Sequence, residues 1–471
     1  MDVENVTTAL KNLSGKFKNE KLRMHVLQAF PYWIASLVTG LLAVFYARLF
    51  AWSENLGVSI LHIHKWLIFI VTPVCFVIAR LLVQRFSPYA RGSGIPQVMA
   101  AIELANPKEN EKVKKLLNIK VIVIKVMSSM LMIFGGGAVG REGPTIQIAG
   151  TVFRKINEWL PASWPKVSKR NMILTGAAAG LAAAFNTPLG GIVFAVEELA
   201  KTHISFFKTA IFTAVIIAGL TAQALLGPYL YLGYPDVNNL SGYIFFAVAF
   251  VAIIAGLAGA YMSKLILGLM AWKKSLKGRY ADILFVLGCA TVVSLTAYFL
   301  NEGILGSGKE QMTHILFTSD KYAGWQLPLL RIIGPIIAFS TGAAGGIFAP
   351  ALGAGATIGS FIAGLMHLAA ANTNMLVLAG MVAFLTGVTR SPFTSAILVL
   401  EMTDRHNVIF HLMLAGTIAS LAATLVSKHS FYDYLKHQYI MELAEDDKHK
   451  DPNNKNDVGE IPPGPALITP A

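Results

Sequence analysis

FGGGAVGREGPTIQIAGT, residues 134–151, decides how this chain is read. Arg141 and Glu142 stand side by side among apolar and small residues. Gly135, Gly136, Gly137, Gly140 and Gly143 precede or adjoin them, and Pro144 follows. A helix N-terminus exposes unpaired N–H groups and roughly half a positive charge. Glycine lets an anion approach those groups closely, and proline is favoured in the first helical turn. The stretch therefore predicts a loop feeding a helix start that attracts anions, with a carboxyl group at the same spot.

The setting around it is a membrane. Hydrophobic residues make up 55% of the 471 and charged ones 14%, whereas soluble domains carry about 25% charged residues. Largely apolar runs of spanning length recur at 30–45 (continuing to 52), 66–83, 210–226, 243–260, 283–300, 375–400 (interrupted at Arg390) and 408–426. These predict an all-α polytopic membrane protein. The net charge of +13 does not call for nucleic acid. Basic residues gather at 11–23, 107–120, 154–170 and 272–279, as the positive-inside rule expects of cytoplasmic loops. Cys75 and Cys289 lie in apolar runs and read as packing residues. Neither a disulfide framework nor a metal site follows from two such cysteines. The N-terminus is polar and basic, without the pattern of a secretory signal. With no HExxH, nucleophile elbow or Walker motif, no enzyme and no cofactor are expected.

Four regions are expected: a cytoplasmic lead at 1–25, a first membrane repeat at 26–235, a second at 236–440, and a disordered cytoplasmic tail at 441–471, polar and rich in Pro and Asn. The duplication rests on three pairs in the same order. GSGIPQV begins at Gly92 and GSGKEQM at Gly306. GAVGREGPTIQIAG places Pro144 where GAAGGIFAPALGAG places Pro350. FNTPLGGIVFAVEE has Pro188 and Glu197, and VTRSPFTSAILVLEM has Pro392 and Glu401, with equal spacing. The offsets are 214, 206 and 204, which fits a duplicated half with small insertions. Many apolar segments are interrupted by Gly or Pro, the pattern of discontinuous helices meeting at a midplane site between inverted repeats.

GSGIP, GREGP and GGIFAP share one plan of small residues followed by proline at a helix start. Three such starts aimed at one point bind an anion through partial dipoles, tightly enough to select it and weakly enough to release it. The alternative is close helix packing through small residues. An ionisable residue at membrane depth is a functional hypothesis by default. Glu142 can then gate: ionised, it takes the anion's place, and protonated or displaced, it opens the route. Glu197 and Glu198 end an apolar helix, either as a solvated cytoplasmic end or as a proton acceptor at the inner mouth. Glu401 is the counterpart of Glu197, but Met402 stands opposite Glu198. Glu197 thus reads as structural and Glu198 as the functional candidate. Lys125 either lends positive potential to the pathway or snorkels to an interface.

On these motifs the chain resembles the CLC family of chloride channels and chloride/proton antiporters, over about residues 30–435. The resemblance implies a CLC-type fold of two inverted repeats and a homodimer with one pathway per subunit. It implies that the Ser93 hydroxyl and the amides of Ile347 and Phe348 hold a central chloride, with Ala349 further out. Arg141 and Gly143 would line the outer anion site, and Glu142 would be the external gating and proton glutamate. Tyr432 would close the inner side, with Tyr434 as its rival. Glu198 would be the internal proton glutamate usual in antiporters. Gln97 departs from the glutamate many relatives carry, with little effect expected on the pore. Without nucleotide-binding CBS pairs, the resemblance points to a prokaryotic-type protein of the bacterial inner membrane. The implied activity is chloride/proton exchange, with a passive chloride channel as the alternative.

Overall fold

The computed structural model of the protein describes residues 20–450, apart from 107–108, 162–163, 166, 201–207, 228–229, 277 and 279. Helices account for its regular structure, joined by two isolated β-bridges. In the first half run α1 (Glu20–Ile63), α2 (Ile68–Phe86), α3 (Ile95–Glu103), α4 (Asn110–Leu116), α5 (Ile119–Phe134), α6 (Glu142–Trp159), α7 (Lys169–Phe185), α8 (Pro188–Phe194) and α9 (Lys208–Leu226). The second half contains α10 (Ile244–Ser275), α11 (Ala281–Phe299), α12 (Lys309–Phe317), α13 (Gln326–Ser340), α14 (Phe348–Leu365), α15 (Ala370–Thr389), α16 (Pro392–Thr403), α17 (Ile409–Thr424) and α18 (Phe431–Lys450).

Among the described residues nine helices are long and apolar enough to cross a membrane. α1 has 44 residues and α10 has 32. At about 1.5 Å per residue these are roughly 66 and 48 Å long, beyond the ~30 Å hydrocarbon core, so they tilt or project from it. α3, α8, α12 and α16 have only 7–12 residues and cannot cross alone. α14 and α15 are buried almost entirely within the protein, whereas only about a third of the residues of α2, α9, α11 and α17 are buried in it.

The apolar run at 375–400 is two helices. Arg390 ends α15 in the left-handed region (φ 64°), and Pro392 starts α16. Asn186 ends α7 the same way (φ 57°), and Pro188 starts α8. The pairing extends along the chain: α1 with α10, α2 with α11, α3 with α12, α5 with α13, and α6 to α9 with α14 to α17. Two reciprocal contacts establish its geometry. Glu401, at the end of α16, accepts the amides of Leu189 and Gly190 at the start of α8, at 3.0 and 2.7 Å. Glu197, beyond α8, accepts the amides of Phe393 and Thr394 at the start of α16, at 3.2 and 2.6 Å. Each helix caps the other, so the two run antiparallel, as inverted repeats require. Gly140 and Gly346, themselves 206 apart, exchange both backbone hydrogen bonds at 2.8 and 2.7 Å. Such self-matching contacts are the mark of a two-fold axis.

α18 has no counterpart among the helices of the first half. It runs to Lys450, so residues 441–450, expected in a disordered tail, continue a helix. The rest of that tail, 451–471, lies outside the described residues, as do residues 1–19 of the expected lead.

Candidate functional site

The three glycine motifs meet backbone to backbone. Gly92 N donates to Ala343 O at 2.8 Å, and Gly345 N donates to Gly92 O at 3.1 Å. The Gly140–Gly346 pair joins the second motif to the third. α3, α6 and α14 therefore begin at one place, each with proline in its first turn: Pro96, Pro144 and Pro350. Gly143 is required by close approach. A Cβ there would strike the Ser93 hydroxyl and come within 2.8 Å of the Ser93 carbonyl.

Ser93 and Tyr432 face each other and are buried, and among the described residues neither hydroxyl has a hydrogen-bond partner of ordinary geometry. An unsatisfied buried hydroxyl costs about 1–3 kcal/mol, so this pair calls for an acceptor between them. Ile347 and Phe348 stand beside it at the start of α14, both 1% exposed. The Phe348 ring lies parallel to Tyr432 at 6.2 Å and edge-on to Phe194 at 6.2 Å. Tyr432 rather than Tyr434 faces the site; the Tyr434 hydroxyl meets Ser427 at 3.4 Å.

Glu142 is the first residue of α6 and is 1% exposed. Its carboxylate folds back over Gly140, where a Cβ would collide with Oε2. The amides of Glu142 and Ala349 face it, and the charges of Arg141 and Lys309 act on it. Tyr432 is within Coulombic range of both Glu142 and Glu198, so both carboxyl groups lie near the hydroxyl pair.

Glu198 is not at a solvated end. It is 2% exposed and sits in a π-helical turn, Ala195–Ala200, that continues α8. Single π turns recur at functional sites because they re-aim a side chain. Ser391 Oγ donates to Glu198 Oε2 at 2.6 Å. Glu197 is structural, as its repeat counterpart indicated.

Lys125 does not snorkel. It is fully buried, and its Nζ donates to Gly92 O at 3.0 Å, bracing the loop that carries Ser93. Gln97 is tied into the same loop. Its amide nitrogen donates to Arg91 O at 2.7 Å and Tyr89 O at 3.2 Å, bonds an ionised glutamate could not donate. Outside the membrane-spanning segments, Arg91 pairs with Glu442 of α18, fastening the helix that bears Tyr432 to the loop that bears Ser93. Sequence reading also missed Ser391, Phe185, Phe194 and Tyr231. No motif marks them, though Ser391 could have been found from its place before Pro392, matching Thr187 before Pro188.

The model of the voltage gated chloride channel family matches residues 74–424, three-quarters of the chain and all three motifs. The chain belongs to that family. Among its relatives is the H(+)/Cl(-) exchange transporter ClcA of Cronobacter sakazakii, 29% identical over 419 residues, with 85% of this chain and 87% of the relative covered. The ClcA exchange transporter of Citrobacter koseri is 28% identical over 417 residues, with 85% and 86% covered. The fold is shared with solved members of the family. A slow cyanobacterial Cl-/H+ antiporter superposes with TM-score 0.76 at 23% identity, covering 88% of this chain and 98% of that one. A CLC-type fluoride/proton antiporter gives 0.72 at 17% identity, covering 89% and 99%.

Proposed function

We propose that this protein is a secondary transporter that exchanges chloride for protons across a membrane. The observation that carries the reading is the placement of two buried carboxyl groups, Glu142 and Glu198, about an unsatisfied hydroxyl pair where three helix starts converge. Ser93, Tyr432 and the amides of Ile347 and Phe348 would hold the central chloride, with Ala349, Arg141 and Gly143 around the outer position. Ionised Glu142 competes with the anion for the outer amides. Protonated, it leaves them, so proton uptake and anion passage are linked at one side chain. Glu198, held by Ser391, would exchange that proton with the inner side.

The relatives named H(+)/Cl(-) exchange transporters support exchange over a passive channel. Burial of Glu198 supports it too, since a channel has no use for a second desolvated carboxyl group. We assign residues 26–235 and 236–440 to the two membrane repeats. The active form would be a homodimer with one pathway per subunit in a bacterial inner membrane. The test follows chloride and protons together in liposomes. An outwardly directed chloride gradient is expected to drive protons inward against their own gradient. Chloride movement that never drives protons would make the protein a passive channel.

A further inference from the structure

The segments that bring Ser93 and Tyr432 to the site have equivalents in the other repeat. Ser93 precedes α3, and Tyr432 comes from the chain after α17. In the other repeat, α12 stands for α3 and α9 for α17. Gly94 and Gly308 are both left-handed N-caps, with φ of 107° and 89°. Lys309 therefore occupies the place of Ile95, and the chain after α9 supplies Tyr231.

Tyr231 is 4% exposed. Its hydroxyl donates to Glu142 Oε1 across 3.5 Å, longer than an ordinary O–H···O bond. Its ring meets Phe185 edge-on at 5.0 Å, and Phe185 lies 6.2 Å from Phe348. Tyr432, Phe348, Phe185 and Tyr231 thus form a continuous aromatic chain past Glu142. Lys309 Nζ sits 4.4 Å from the centroid of the Tyr231 ring, within cation–π range.

We infer that Tyr231, with Lys309 over its ring, is the outer positioning pair that holds ionised Glu142 across the anion route. This rests on Glu142 being the gate and proton carrier. The other groups within reach of Glu142 are Arg141 on its own helix, Tyr46 from α1 and Tyr432 from α18. Glu54 of α1 faces Lys309 and also accepts Ser307 N at 2.8 Å. A hydroxyl donor and a nearby cation both favour the carboxylate over the acid. Removing either makes Glu142 easier to protonate.

The test is the pH dependence of chloride flux in liposomes. Tyr231→Phe keeps the ring and is expected to move the midpoint up by about half a unit. Lys309→Gln should move it the same way by about one unit, and Lys309→Arg should restore the wild-type profile. Combined with Glu142→Gln, neither substitution should change the profile at all. A wild-type midpoint in folded Tyr231→Phe and Lys309→Gln proteins overturns the inference. If Tyr231→Phe does not fold, Lys309→Gln decides. Proton coupling that survives Glu142→Gln would instead sink the reading of Glu142 itself.

Discussion

Arg141–Glu142–Gly143–Pro144 and Ile347–Phe348–Ala349–Pro350 occupy equivalent places, and the glycines before them pair with each other. Both segments open a helix and both aim amides at the same point. One carries a carboxyl group and the other a phenyl ring. A second comparison goes the same way. Glu197 and Glu401 cap each other's helices, while their neighbours are Glu198 on one side and Met402 on the other. What the two halves share builds the frame, because both repeats need the same caps and turns to fold. Where they differ, the chemistry sits. In the proposed exchange, Glu142 and Glu198 would be the two ends of one proton route.

Breaking the asymmetry should have the largest effect. Glu142→Gln removes the only titratable group at the two paired helix starts after Arg141. Proton transport should fall by roughly 10²-fold or more, on the scale of a lost proton-transfer group, while chloride still moves in the liposome assay. Glu198→Gln should also leave chloride movement and lower proton transport by at least about 10-fold. Ser391→Ala should act in the same direction and more weakly, because it removes one charge-assisted hydrogen bond, worth about 1.5–3 kcal/mol.

The symmetric positions should behave oppositely. Glu197→Ala and Glu401→Ala each remove a side-chain cap, at a cost of about 0.5–2 kcal/mol. Thermal unfolding in detergent should fall by similar amounts for the two, with the ratio of proton to chloride transport unchanged. A large difference between them would break the equivalence of the halves. The smallest expected effect concerns α18, the helix without a counterpart in the first half. Burial alone would push the Glu442 carboxyl up, but Arg91, Lys274 and Gln438 more than reverse this and hold it at about 2. A carboxyl depressed below its unfolded value of about 4.3 stabilises the fold fully above that pH. The contribution is lost as pH falls from about 4.3 to 2. Unfolding temperature should therefore drop over that window, and less so in Glu442→Gln.

Much of this frame could be read along the chain. The apolar runs, the three glycine–proline starts and the spacing of Pro188 to Glu197 and Pro392 to Glu401 are local patterns, because helix length, breaks and caps are set by neighbouring residues. Glu198 could be singled out from Met402 by comparing the repeats. The partners of these residues could not. Lys125 reads equally as a cation lending potential to the pathway or as a snorkelling one, and its burial against Gly92 O excludes the second. Gln97 appears inconsequential until its amide is seen holding the loop at Arg91.

The sequence by itself determined a membrane protein of two matched halves, with Glu142 at an anion-attracting helix start and Glu198 as the unmatched acid. Only the tertiary structure decided that the halves run antiparallel, that Ser93 faces Tyr432, and that Tyr231 and Lys309 stand over Glu142. The reason is that hydropathy and caps act within a few residues. A buried polar group, by contrast, is satisfied by whatever the fold brings beside it, here from 193 positions away in the case of Glu198 and Ser391.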